Sequence, residues 1–192
     1  MLCQLFTSYY LEEDILHTTA WQESLSQPAD LDAFRTQTLT LLERATNFHT
    51  INEASTEMEL IRPHFKLLGW NHYLPQQGSD FNRDIPDHLL FGDTESKDHA
   101  VNKPATAACY PDTIAITEIK RFRLLLDTRE GKQTGSFHGQ ILRFLATADI
   151  NSDGRIRWGI LTNGRILLLY DRRALSAPEA TTKSTSTPCL SE

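Results

Sequence analysis

Apolar residues recur along this chain in two rhythms. From Pro28, PADLDAFRTQTLTLLERA sets Leu31, Phe34, Leu41, Leu42 and Ala45 on one face, which predicts an amphipathic helix. The stretch INEASTEMELIRPHFKLLGW predicts a second helix: Ile51, Ala54, Met58, Ile61, Phe65 and Leu68 alternate steps of three and four. Pro63 should kink or split it, and Gly69 should end it. Residues 1–27 mix aromatics with acids and read as a short helix plus loop, and 71–84 as an irregular strand or hairpin. Then the rhythm shortens. DHLLF predicts a strand stopped by Gly92, residues 92–112 an exposed loop, and TIAITEIKRF a β-branched strand. Residues 125–135 read as a loop. SFHGQILRFLATA is helical, with Ser136 as N-cap and Phe137, Ile141, Leu145 and Ala148 inward. IRWGILTNGRILLLYD is two strands around Asn163-Gly164, a strong hairpin signal. The Ser/Thr/Pro-rich tail has too few large apolar groups to order itself.

This order predicts an α/β (or α+β) fold, a mixed β-sheet flanked by helices. Three segments follow: an N-terminal helical segment, 1–50; a core, 51–173; and a disordered tail, 174–192. The 192 residues suffice for one domain with a real core, and the 40% hydrophobic and 23% charged fractions are ordinary for a globular protein. No apolar run approaches the ~20 residues that span a bilayer, and the acidic start is a poor signal peptide. Cys3, Cys109 and Cys189 are odd in number and far apart, which argues against a disulfide framework or zinc site. The expectation is a cytoplasmic chain with no membrane partner. Its net charge of −6 is unevenly spread. Residues 1–117 hold 7 basic and 17 acidic groups, giving −10, and residues 118–173 hold 11 and 6, giving +5. A basic half beside an acidic one is compatible with a phosphate-binding face.

Three charges in the apolar runs then stand out. Asp87 opens one strand, and Glu118 and Lys120 close the next. If the strands pair antiparallel, those ends meet, and residues two apart share a sheet face. Two carboxylates and an ammonium at one point suit a hard divalent cation, which takes oxygen ligands and keeps several waters. They also suit phosphodiester hydrolysis, with Lys120 orienting water or stabilising developing charge.

Pro86-Asp87 followed by Glu118-x-Lys120 resembles the motif of the PD-(D/E)XK nuclease superfamily. The flanks extend the resemblance over about residues 5–171. NEASTEMELIRPHFKLLGW resembles the opening helix of the nuclease domain in type I restriction subunits and type IIG restriction–modification enzymes. QILRF resembles the helix after the catalytic strand, WGILTNGRILLLYD the closing strand pair, and LFTSYYLEE the start of type IIG proteins. The resemblance implies a restriction-endonuclease-like core and a Mg²⁺-dependent (or Mn²⁺-dependent) DNA endonuclease. Asp87 and Glu118 would be metal ligands, Lys120 the catalytic lysine, Gln140 the motif glutamine and Glu53 the first-helix acid. Helix geometry adds a rival for that last role. At ~100° per residue, Glu53 lies roughly 100° from the centre of the apolar stripe and Glu57 roughly 60°. Glu53 is the residue carried forward. The family continues into methyltransferase and target-recognition regions, so such a domain or subunit is an implied partner beside DNA. No segment here matches either, so a truncated or stand-alone form is expected.

Other charges have blander readings. Asp149, Asn151, Asp153 and Gly154 match the start of a calcium loop, but its twelfth position is Ile160, so DINSDG reads as a helix-to-strand turn. The seven histidines show no metal spacing and read mostly as surface groups. Arg165 and the Lys120–Arg123 run are phosphate contacts or solvated charges. A second expectation is therefore a nuclease-like module that binds DNA or a partner without cutting.

Overall fold

Strand pairing follows chain order. The computed structural model describes residues 12–46, 51–75, 85–126, 136–172 and 181–185, with only the backbone described for Thr46 and for 181–185. Strands β1 (Tyr73–Pro75), β2 (His88–Leu90), β3 (Ala115–Ile119), β4 (Trp158–Thr162) and β5 (Ile166–Asp171) form the body of one sheet. β3 and β4 are parallel, and every other neighbouring pair is antiparallel. The protein is a mixed α/β fold. The tail was expected to stay unordered, yet β6 (Thr181–Thr185) pairs along β5 as the edge strand. Backbone pairing needs no large side chain, and threonine suits the pleated strand.

Helices cover both faces of this sheet. On one face α1 (Thr19–Leu25) and α2 (Pro28–Thr46) precede α3, a helical rod made of Glu53–Thr56, a π turn over Glu57–Ile61, and Arg62–Leu67. On the other lie α4 (Thr94–Val101), α5 (Thr106–Cys109) and α6 (Phe137–Asn151). Alternation along each strand feeds two cores. Leu90, Ala115, Ile119 and Ile160 join Leu60, Ile61 and Phe65 of α3. Leu89, Ile116 and Leu161 join Phe137, Ile141, Phe144 and Leu145 of α6. Strands sandwiched this way read as continuous apolar runs, and a charge among them stands out. Among the described residues no helix is long and apolar enough to cross a membrane.

Pro63 leaves a particular mark. Its ring and missing N–H do not break α3. The helix widens into the π turn just before it, where the Arg62 N–H reaches back to the Glu57 carbonyl. A widened turn also breaks the count of 100° per residue. Met58, predicted inward, is 61% exposed, and Leu68 is exposed too. Leu31 and Phe34 are exposed as well, because only the C-terminal end of α2 (Leu41, Ala45) reaches the sheet-facing core.

One other expectation changes. Residues 92–112 are α4, α5 and a 3₁₀ turn over Tyr110–Asp112, not an exposed loop. Asp93 caps α4 by accepting from the Ser96 N–H at 2.7 Å, while Ala100, Thr106, Cys109 and Tyr110 are buried. Of the irregular strand or hairpin read over 71–84, Tyr73–Pro75 form β1 and residues 76–84 lie outside the described residues, as do residues 127–135 of the loop read over 125–135. The helix at Ser136 is as predicted: the serine caps the Gly139 N–H at 3.1 Å, and Phe137, Ile141, Leu145 and Ala148 are buried. DINSDG is a turn, with Asp153 and Gly154 at positive φ and the Gly154 N–H bonded to the Asp149 carbonyl.

The β4–β5 turn packs tightly on α3. Asn163 accepts from the N–H groups of Arg165 and Ile166, and Gly164 sits at φ +78°. A Cβ at Gly164 would collide with the buried side chain of Leu60. Gly164→Ala therefore meets left-handed backbone strain and overpacking together, and should lower stability by roughly 2–4 kcal/mol. Urea denaturation checks this, and a parental midpoint would contradict it.

Candidate active site

The β2–β3 register brings the predicted charges together. His88 pairs with Thr117, Leu89 with Ile116 and Leu90 with Ala115. One step further along the same register, Asp87 lies opposite Glu118. The Ile119 N–H donates to Asp87 Oδ2 at 2.6 Å, which ties the aspartate to the end of β3. Glu118 and Lys120 alternate with Thr117 and Ile119 and so face α6. Lys120 Nζ donates to Glu118 Oε1 at 2.6 Å and lies 5.2 Å from the centroid of the Phe137 ring, a cation–π contact. The Lys120 N–H donates to the Thr162 carbonyl at 2.7 Å and so extends the β3–β4 pairing by one residue. Glu118 is 3% exposed and Lys120 7%.

Burial sets the electrostatics. Loss of solvent pushes Asp87 up to about 6; the Ile119 N–H and Lys120 pull the other way, and Glu53 and Glu57 add to the rise. Loss of solvent and then the Asp87 charge push Glu118 up to about 8 against the pull of Lys120. For Lys120, burial favours the neutral amine, but attraction from Glu118, Glu53 and Asp87 outweighs it and holds the ammonium above its usual range. Lys120 is thus the firmly charged member, and the carboxyl groups share too little solvent to ionise easily.

Glu53 and Glu57 have different tasks. Glu53 opens α3 at its exposed end, just after the Asn52 cap, and its charge is felt by Asp87, Glu118 and Lys120 alike. Glu57 points at the sheet, as its helix angle predicted. Its Oε1 accepts from Arg62 Nε at 2.9 Å and Nη2 at 2.6 Å, and meets His88 Nε2 at 2.8 Å. α3 is also pinned to the segment after β3, where Thr56 Oγ1 accepts from the Phe122 N–H at 3.0 Å. Gln140 lies in the first turn of α6, half-buried, one turn beyond Phe137. Among the described residues it makes no hydrogen bond to the acids or the lysine. Arg121, Arg123 and Arg165 are exposed at the sheet end where β3 and β4 finish. Asn163 joins their two turns by donating from Nδ2 to the Leu124 carbonyl at 2.7 Å.

His88 corrects the reading of histidines as surface groups: it is fully buried. Burial favours its neutral form, more than Glu57 favours the charged one. A neutral ring with Nε2–H donating to Glu57 accepts at Nδ1 from Thr117 Oγ1, 3.2 Å away. The edges of Phe65 and Tyr73 pack against it. The one clue in the sequence is its place immediately after Asp87 in an apolar run.

Does the site suit a cation? Glu118 Oε2 is buried with no hydrogen-bond partner among the described residues. An orphaned carboxylate oxygen beside a second carboxylate is the donor set a hard divalent ion takes. Among the described residues no three His, Cys, Asp or Glu side chains form a ready-made cage. Mg²⁺, which uses one or two carboxylates and keeps its waters, needs none. Comparisons with protein-family models, curated proteins and solved structures found no match to the chain.

The raised acids make stability depend on pH. A carboxyl whose folded pKa exceeds its unfolded value binds more protons when folded. Its contribution is complete below the ordinary carboxyl range and is lost as pH rises through about 6 for Asp87 and about 8 for Glu118. In EDTA, the melting temperature should fall between pH 5 and pH 8, and Glu118→Gln should flatten that fall. Parallel profiles for parent and variant would contradict it.

Proposed function

We propose that this chain is a metal-dependent DNA endonuclease domain with a restriction-endonuclease-like core, which hydrolyses phosphodiester bonds as part of a restriction–modification system. One observation carries the reading: Asp87 lies opposite Glu118 on the next strand, with Lys120 on the same face and a buried Glu118 Oε2, without a partner among the described residues, between helix and sheet. Asp87 and Glu118 would hold Mg²⁺ or Mn²⁺, which when bound polarises a phosphoryl oxygen and acidifies a coordinated water. Lys120, kept charged by its carboxylate neighbours, donates hydrogen bonds to the attacking water or to the developing phosphorane charge. Phe137 and Glu118 hold that ammonium in place. Glu53, at the exposed end of the group, supports the water shell. Gln140 is a substrate-contacting residue in this reading, and Arg121, Arg123 and Arg165 meet the phosphate backbone. Base recognition comes from a methyltransferase or specificity domain or subunit.

The closed Lys120–Glu118 ion pair favours a second reading, a nuclease-like module that binds DNA or a partner without cutting.

Plasmid nicking with Mg²⁺ or Mn²⁺ separates the two. The parent should nick, and Asp87→Ala and Lys120→Ala should each lose about 100-fold or more. A parent that binds DNA in a salt-sensitive way without nicking, and an Asp87→Ala protein that binds equally, would leave the second reading standing.

A further inference from the structure

The acids and the lysine face α6, and behind them, on the α3 side of the sheet, runs a polar chain, buried at its sheet end and half-buried at its helix end, that this reaction does not use. Arg62 donates twice to Glu57, His88 donates to Glu57, and Thr117 donates to His88. His88 and Thr117 have no exposed surface. They are also register partners, and each is the chain neighbour of a candidate ligand, Asp87 or Glu118.

β2 is only three residues long, and its apolar residues alternate between two apolar cores. Such a strand has little to hold its register. A slip of one residue would turn Asp87 to the wrong face and carry it away from Glu118. The His88–Thr117 hydrogen bond joins the two strands at the pair next to the acids. The His88–Glu57 bond then ties that pair to α3, one helical turn beyond Glu53. Burying His88 and Thr117, with Glu57 half-buried beside them, has a cost, and an apolar replacement would pack as well.

We propose that Glu57, His88 and Thr117 are positioning residues, whose chain of hydrogen bonds through the sheet sets the Asp87–Glu118 pair at the spacing a divalent cation requires. The proposal rests on the metal-dependent reading of the site. Residues that hold metal ligands from behind typically carry a 10- to 100-fold share of metal affinity.

The test uses the full chain and two readouts: Mn²⁺ affinity by electron paramagnetic resonance, and hydrogen exchange of the Ile119 amide without metal. The Ile119 amide reports directly on Asp87, its hydrogen-bond acceptor. The triple variant E57L/H88F/T117V removes the buried partners together and leaves none unpaired, since Arg62 can turn to solvent. It should melt near the parental temperature, exchange Ile119 faster, and bind Mn²⁺ about 10- to 100-fold more weakly. Glu57→Gln keeps an acceptor for His88 and Arg62 and should stay near the parent in both readouts. Thr117→Val, a smaller change, should still quicken Ile119 exchange should the triple variant not fold. Parental Mn²⁺ affinity and parental Ile119 exchange in the triple variant would overturn the proposal. A parent that binds no Mn²⁺ would overturn the metal-dependent reading instead, and Ile119 exchange would still decide whether the chain positions Asp87.

Discussion

Two carboxyl groups side by side on neighbouring strands, with little water around them, are the constraint that shapes the rest of this protein. Removing an ionised carboxylate from water costs several kcal/mol, and placing a second one beside it raises that cost. The fold offsets part of it with two charge-assisted bonds, from the Ile119 N–H to Asp87 and from Lys120 to Glu118. Among the described residues one oxygen of Glu118 finds no partner, at a cost of about 1–3 kcal/mol. Packing alone does not account for such an arrangement. Groups held at an energetic disadvantage are characteristic of sites that bind or react, where stability is traded for function.

The helices complete the arrangement from opposite sides. α6 supplies the Phe137 ring over the Lys120 ammonium, and its core residues keep water from the face where the acids sit. α3 is fastened to the sheet by Glu57 at His88 and by Thr56 at Phe122, beyond the lysine. The π turn lies in the same stretch of α3 as Glu57, so the helix irregularity forced by Pro63 falls where the helix meets the sheet. The two turns that expose basic side chains at the same sheet end are joined by one asparagine, through the Leu124 carbonyl.

Much of this was legible in the sequence because it followed from strand periodicity. Residues two apart share a face, so Glu118 and Lys120 had to converge, and antiparallel pairing had to bring Asp87 to them. The N-cap at Ser136 and the turn at Asn163-Gly164 were legible for the same local reason. What was hidden depended on neighbours far along the chain. A lone histidine carries no sign of burial, and His88 is covered by Glu57 and Phe65 of α3 and by Tyr73 of β1, all distant from it in sequence. Helical spacing marked Leu31, Phe34, Met58 and Leu68 as a face, but whether another element covers that face is a tertiary matter, and the π turn rotated Met58 away. Residues 92–112 looked like a loop because their helices are short, with one buried position in α4 and two in α5.

The most direct test is calorimetric titration of the metal-free protein with Mn²⁺ near pH 7, in two buffers of different ionisation enthalpy. If Asp87 and Glu118 hold the ion together, binding is saturable at one ion per chain, releases protons from the raised carboxyl groups, and disappears in Glu118→Gln. Absence of saturable binding in the parent, or binding of equal strength without proton release in Glu118→Gln, would contradict the account.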